Sequence, residues 1–89
     1  MNEKIGVAGS FDSNDCLVTI KESSELNINI DSIVKDYFYD AILSCVENAL
    51  KEVNANNISV EIKDKGALDY TIRARVLTAY KRYIDGGIN

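Results

Sequence analysis

Alternating apolar and polar residues predict three strands along the chain. Apolar residues occupy every second position in segments 16–20, 26–30 and 58–62, which is the period of a half-buried strand. Segment 4–8 is a candidate for an additional short edge strand. A polar turn at 22–25 separates the first two predicted strands, so we expect these two to pair as a hairpin.

Two stretches repeat apolar residues at the helical period. The first predicts a helix from about residue 32 to residue 53, with Asp31 or Ser32 as its cap. Its predicted core-facing residues are Val34, Phe38, Ala41, Ile42, Cys45, Ala49 and Val53. The second predicts a helix that is stopped by Gly86 and Gly87. Its predicted core-facing residues are Leu68, Ile72, Val76, Ala79 and Tyr83.

The order β-β-α-β-α predicts a single α+β domain over residues 1–89. We expect a two-layer sandwich in which both helices cover one face of a small mixed sheet. The helix between the second and third strands would form a right-handed crossover. Residues 1–15 are rich in Gly, Ser, Asn and Asp and are predicted to be exposed. A chain this short has little room for a deep active site.

An acidic balance and the lack of histidine narrow the classes of function. The chain has 14 acidic and 10 basic residues, a net charge of −4 and no histidine. Nucleic acid is therefore disfavoured as a partner. Most zinc sites and the Ser-His and Cys-His nucleophile systems are excluded. The sequence also lacks nucleotide-binding motifs and metal-ligand clusters, so we expect neither a catalytic residue nor a bound metal.

The N-terminal segment and the lengths of the apolar runs predict the cellular location of the protein. No apolar run is long enough to cross a membrane, and the N-terminus does not read as a secretory signal. We therefore expect a soluble protein of the cytoplasm, without a membrane partner. Cys16 and Cys45 lack the CxxC spacing and fall at predicted core positions, which favours two reduced, buried thiols.

A polar turn provides the first candidate for chemistry. Ser13 lies between Asp12 and the pair Asn14 and Asp15. An accessible hydroxyl on such a turn suits covalent attachment or phosphorylation. An ordinary turn serine fits the same surroundings. The residues alone leave both interpretations open.

A second constellation follows the last predicted strand. Gly66 can adopt a positive φ at the turn, and Asp69 at the helix start can pair with Arg73 one turn later. In an alternative interpretation, Arg73 and Arg75 form a local anchor for a phosphate or for the carboxylates of a partner.

Separated segments of the chain resemble the citrate lyase acyl carrier protein family, the γ subunit of that enzyme. Residues 8–15 are similar to the family's prosthetic-group segment, which reads AGTLES followed by a small residue and Asp. Residues 30–35 resemble the start of its first long helix. Residues 64–69 and 73–76 resemble the entry to its second helix. The order and spacing of these segments agree over nearly the whole chain. The chain departs from the usual Thr, Leu, Glu and Gly or Ser at Ser10, Phe11, Asp12 and Asn14.

The resemblance implies that Ser13 bears a phosphoribosyl-dephospho-coenzyme A (phosphoribosyl-dephospho-CoA) arm, linked through a phosphodiester and installed by a separate prosthetic-group transferase. The arm would carry acetyl and citryl thioesters between the alpha (transferase) and beta (lyase) subunits as citrate is cleaved to oxaloacetate and acetate. The chain would be a non-catalytic carrier subunit. Candidate contacts of the arm or of a partner are Asp12, Asn14, Asp15, Arg73 and Arg75.

Two alternatives stay open at this point. Malonate decarboxylase and citramalate lyase use related carriers, although segments 64–69 and 73–76 favour citrate lyase. A regulatory or interaction module, with Ser13 unmodified, is an alternative from a different class of function. Ordinary acyl carrier proteins are helical bundles, and the predicted strands argue against that architecture here.

Overall fold

The computed structural model describes residues 4–86, without the side chain of Lys35. Its elements are β1 (Ile5–Gly9), β2 (Cys16–Glu22), β3 (Asn27–Ser32), α1 (Lys35–Glu52), β4 (Ile58–Asp64) and α2 (Asp69–Ile84). The predicted α+β fold with a mixed sheet and two helices, distinct from a helical bundle, is confirmed. The candidate edge strand at 4–8 is present as β1.

The strand order is β1-β2-β4-β3, and the predicted hairpin between β2 and β3 is wrong. β2 pairs antiparallel with both β1 and β4, whereas β3 lies parallel to β4. The α1 crossover allows this parallel pairing. Burial explains the positions, because Ile58, Val60 and Ile62 of β4 are at most 1% exposed. Strand β3 exposes Asn27 and Asn29, which suits the edge of a sheet.

The core lies between the sheet and the two helices, and α1 contributes to it from Ile42 onward. The buried residues of α1 are Ile42, Val46, Ala49 and Leu50. The predicted core positions Phe38, Ala41 and Val53 are wrong, because all three are exposed. The spacing of apolar residues continues toward both ends of α1, beyond the part of the helix that packs on the sheet and on α2.

Helix α2 follows its predicted pattern except at its start. Ile72, Val76, Ala79 and Tyr83 are buried as predicted. Leu68 is 58% exposed, and it is the N-cap residue, which precedes the first helical residue, Asp69. The helix is followed by Gly86 with φ +112°, and Gly87 lies outside the described residues.

The two chain segments near the site also differ from the predictions. Val34, and not Asp31 or Ser32, is the N-cap of α1. Within the predicted exposed segment, residues 1–3 lie outside the described residues. Residues 5–9 join the sheet as β1, in which Gly6 and Ala8 are buried, and the continuous exposed stretch is 11–14.

Candidate attachment site

Ser13 lies in the loop 10–15, which connects β1 and β2. Its side chain is exposed, and the structure gives it no hydrogen bond to any described residue. The turn around it is closed by the amide of Asp15, which donates to the carbonyl of Asp12 at 3.1 Å. Asn14 has φ +64°, a left-handed conformation that Asn tolerates well. The local backbone therefore presents a free hydroxyl at the tip of a defined turn.

The carboxylate of Asp15 holds this loop together. Its Oδ1 accepts from the amide of Cys16 at 2.7 Å and from Nε of Arg75 at 2.9 Å. Its Oδ2 accepts from Oγ of Ser10 at 2.8 Å and from a terminal nitrogen of Arg75 at 3.2 Å. Oγ of Ser10 accepts in turn from the amide of Asp12 at 3.1 Å. One side chain thus connects the two ends of the loop, the start of β2 and α2.

The Asp15–Arg75 pair favours its charged state. Hydrogen bonding from Arg75 lowers the pKa of Asp15 despite its burial, and hydrogen bonding to Asp15 raises the pKa of Arg75. The side chain of Asp15 is only 16% exposed and that of Arg75 is 41% exposed. Such charge-assisted, bidentate ion pairs are stronger than neutral hydrogen bonds. The loop is accordingly fixed by an ionised pair near neutral pH.

The Ser13 loop is also tied to the turn between β4 and α2. The amide of Asn14 donates to the carbonyl of Lys65 at 2.8 Å, and the amide of Lys65 donates to the carbonyl of Asp15 at 2.9 Å. These bonds continue the β2–β4 ladder beyond its last paired residues, Cys16 and Asp64. Gly66 in this turn has φ +89°, as its position predicted.

Asp64 organises the same turn from inside. It is 3% exposed and accepts from Oγ of Ser32 at 2.7 Å and from the amide of Ala67 at 2.9 Å. Oγ of Ser32 accepts from the amide of Val34 at 3.1 Å. The buried carboxylate therefore connects the end of β3, the end of β4 and the entries to both helices. Asp64 falls in the segment 64–69, but the sequence pattern predicted no role for it in the site.

The structure brings together four of the five predicted contact residues. Asp12, Asn14, Asp15 and Arg75 lie around Ser13, whereas Arg73 pairs with Glu52 of α1, with 3.0 Å between Nε and Oε2. The predicted pairing of Arg73 with Asp69 is therefore wrong. The α1–α2 packing brings Glu52 within reach, and the sequence does not show this proximity.

The two cysteines are free thiols. Burial raises the pKa of Cys16 to about 12, which keeps its thiol protonated and unreactive near neutral pH. Cys45 is half-buried rather than buried, and its Sγ donates to the carbonyl of Asp69 at 3.3 Å. Burial also raises the pKa of Cys45.

An apolar groove, which the sequence pattern did not predict, opens beside the Ser13 loop between the entries to the two helices. Its volume is about 510 Å³. Its lining residues are Val34, Phe38, Ala41, Ile42, Gly66, Ala67, Leu68, Asp69 and Tyr70. The signal was present in the sequence, because Phe38 and Leu68 are apolar, but the helical period assigned both to the core.

Residues 4–86 provide neither a metal site nor a membrane-spanning helix. Within that range, no group of three or more His, Cys, Asp or Glu residues could hold a metal ion. None of the helices described there is long and apolar enough to cross a membrane.

Comparison with protein families and curated relatives places the chain among acyl carrier proteins. Residues 3–83 match the family model described as malonate decarboxylase delta subunit (MdcD). The citrate lyase acyl carrier protein of Treponema denticola is 45% identical over 76 residues, covering 85% of this chain and 87% of that protein. The citrate lyase acyl carrier protein of Clostridium perfringens is 37% identical over 82 residues, covering 90% and 81%.

A solved structure has the same fold. A chain in the crystal structure of a Pseudomonas malonate decarboxylase hetero-tetramer in complex with malonate superposes with a TM-score of 0.78. The match covers 90% of this chain and 84% of that one at 17% sequence identity. This similarity supports the fold alone, whereas the curated relatives identify the sequence family. The chain therefore belongs to the citrate lyase acyl carrier protein family and is an acyl carrier.

Proposed function

We propose that the chain is the carrier subunit of citrate lyase and that Ser13 is the residue to which its prosthetic group is attached. The observation that carries the assignment is the exposed Ser13 hydroxyl, which lacks a hydrogen-bond partner among the described residues. Its loop is nevertheless fixed by the Asp15–Arg75 pair and the bonds to Lys65. An attachment residue needs this combination, a reactive group free to be modified on a backbone that keeps its place.

The residues around Ser13 fit a phosphoribosyl-dephospho-coenzyme A arm linked through a phosphodiester. The hydroxyl is not committed to another group, and the exposed Lys65 on the neighbouring turn offers a cation near the phosphate. Asp12 and Asn14 flank the attachment point, whereas Asp15 and Arg75 act as positioning residues because they are bonded to each other. A contact of Arg73 with the arm or a partner stays a prediction.

Activation of Ser13 is assigned to another protein, a prosthetic-group transferase. The Asp15 carboxylate, which makes most of the side-chain bonds of the loop, is ionised and already accepts from four donor atoms. The buried Cys16 thiol remains protonated. Neither group is available as a general base for the hydroxyl. The chain therefore serves as a substrate for its own modification and afterwards as a tether.

The carrier role follows from tethering. When bound, the arm supplies a thiol that holds the acyl group as a thioester. The chain holds the anchor in place, so an acyl group delivered to the alpha and then the beta subunit does not dissociate between them. Each transfer becomes effectively intramolecular, which raises the local concentration of the reacting group. We place this chain in the cytoplasm, as a subunit without catalytic residues of its own.

The first experiment tests the attachment. The chain is co-expressed with prosthetic-group transferases from a citrate lyase operon, and its intact mass is measured before and after Ser13→Ala. We expect an added mass that matches the arm, located on Ser13 by peptide fragmentation, and complete loss of that mass in Ser13→Ala.

Ser24→Ala is the matched control, because Ser24 is also an exposed serine in a turn between strands. It should retain the full added mass. An unmodified wild-type chain, or an arm found on another residue, would contradict the assignment of Ser13. The first outcome would favour an interaction module that is never modified.

A related carrier function is the second candidate. The family model that matches residues 3–83 is described by a malonate decarboxylase subunit, although the curated relatives cited above are named for citrate lyase. Reconstitution of the loaded chain separately with citrate lyase and with malonate decarboxylase subunits distinguishes the two. We expect cleavage of citrate with the former, and turnover of malonate alone would reverse the assignment.

A further inference from the structure

The groove beside the Ser13 loop exposes several large apolar side chains. Phe38, Leu68 and Tyr70 line it and are 55%, 58% and 72% exposed. Exposed apolar clusters of this kind mark binding surfaces more often than isolated exposed residues do. Its volume of about 510 Å³ lies in the range of small-molecule sites.

The groove is continuous with the attachment loop. Gly66 lines it, and a Cβ at Gly66 would lie 3.7 Å from Oδ1 of Asn14, the residue after Ser13. The same Cβ would lie 3.9 Å from Cδ1 of Ile33. A group attached to Ser13 therefore starts next to one end of the groove. Covalent attachment would hold it there at a high effective concentration, so even a weak intrinsic affinity would suffice for occupancy.

Charge selects the part of the arm that fits. Asp69 lines the groove, and the buried Asp64 accepts from the amide of Ala67 in its wall. These carboxylates disfavour the phosphates of the arm. The cation of this turn, Lys65, does not line the groove. An uncharged aromatic ring that can donate from an amino group suits such a site, because Phe38 and Tyr70 offer ring faces and Asp69 offers an acceptor.

We propose that this groove is a resting site for the adenine ring of the prosthetic arm. The inference depends on the proposed function, since it requires the arm on Ser13. Adenine is the one aromatic, uncharged ring in dephospho-coenzyme A. With that ring held by Phe38, Leu68 and Tyr70, the base of the arm would be anchored. The thiol-bearing end would remain free to reach the partner subunits.

Nuclear magnetic resonance of the loaded chain tests this without any activity measurement. Apo and loaded protein are compared after methyl labelling of Leu and Ala residues, with loading verified by intact mass. We expect the methyl signals of Ala67 and Leu68 to shift on loading and to show nuclear Overhauser contacts with the adenine protons. Leu26 and Ala55, which line a different groove with Glu47 and Lys51, should show neither.

A pair of variants sharpens the test. Leu68→Asp removes an apolar wall, and the helix should tolerate it because Leu68 is an exposed N-cap residue without a side-chain cap and Asp is a favoured residue there. In loaded Leu68→Asp we expect the adenine contacts to Ala67 to disappear. Leu26→Asp, a change at a 43% exposed position in the other groove, should keep them.

The outcomes separate the two proposals. A fully loaded wild-type chain without shifts or adenine contacts at Ala67 and Leu68 would overturn the resting site and leave the attachment intact. A chain that takes no arm would contradict the proposed function, and the resting site with it. If the transferase fails to load Leu68→Asp, the comparison of apo and loaded wild-type protein still tests the resting site.

Discussion

The two ends of the domain are built from similar parts but held in different ways. At the attachment end, backbone bonds of Lys65 with Asn14 and Asp15 join loop 10–15 to turn 64–68. Side chains add to them, because the ionised Asp15–Arg75 pair ties the loop to α2 and the buried carboxylate of Asp64 holds the turn to the end of β3. At the far end, turn 22–26 meets residues 53–57 through a backbone bond from Ser23 to Asn57. No ion pair involves a residue of 22–26 or 53–57, all of which the structure describes.

The two ends also differ in the polarity of the grooves on their surfaces. The groove at the attachment end is lined mainly by apolar side chains, whereas the groove at the far end includes Glu47, Lys51 and Asn54. A turn that only reverses the chain can be satisfied by backbone bonds and by residues that tolerate positive φ, such as Asn54 and Asn57. A turn that bears a covalently attached group needs a fixed backbone and an accessible surface beside it.

The largest expected effect on stability comes from Gly9, the last residue of β1 before the Ser13 loop, and Gly86 after α2 is the matched comparison. In Gly9→Ala, the new Cβ would lie 1.8 Å from the carbonyl oxygen of Cys16 at a φ of +98°. We expect the free energy of unfolding to fall by about 3 kcal/mol, measured by denaturant titration. Gly86→Ala has a φ of +112° but nothing within 4 Å, so the loss should be about 1 kcal/mol. Equal losses would contradict the steric explanation.

A smaller effect distinguishes the two arginines of α2. Arg75→Ala leaves the largely buried Asp15 carboxylate without its partner and should lower the free energy of unfolding by about 1 kcal/mol, a value reduced because Arg75 itself is 41% exposed. It should also slow attachment of the arm to Ser13, since the loop loses the Asp15–Arg75 pair that fixes its backbone. Arg73→Ala removes an exposed pair with Glu52 and should change neither stability nor loading measurably. A stronger effect at Arg73 would reverse the comparison between the two sites.

The smallest expected effect is a pH dependence of the free energy of unfolding that comes from Asp15. The folded-state pKa of Asp15 is lowered by Arg75, so its stabilising contribution is complete above the unfolded-state pKa of about 3.9 and is lost as the pH falls through the folded value. The stability difference between wild type and Asp15→Asn should therefore be constant at neutral pH and shrink below about pH 4. Denaturant titrations across this range measure it.

Glu52→Gln is the control for that experiment. The pKa of Glu52 is also lowered by Arg73, but both side chains are about half exposed, so solvent screens the pair. We expect Glu52→Gln to alter the acid dependence much less than Asp15→Asn does. A similar change in both variants would show that Asp15 gains nothing from its position in the loop.

The sequence by itself determined the local structure and singled out the residue that we propose as the attachment site. Period-two patterns predicted β2, β3 and β4, and helical periods predicted both helices, because side-chain direction follows from backbone geometry. Strand β1 was a candidate only. The polar turn around Ser13 and its resemblance to a prosthetic-group segment also needed only neighbouring residues. These features depend on residues that are close along the chain.

Only the tertiary structure decided which distant residues meet. The central place of β4, the pairing of Asp15 with Arg75 across 60 positions and the exposure of Phe38 and Leu68 all depend on how the elements pack. An apolar residue at a helical spacing is buried only where another element covers that turn of the helix. At the attachment end nothing in the described chain covers it. The same pattern that predicted a core residue therefore produced a surface groove beside Ser13.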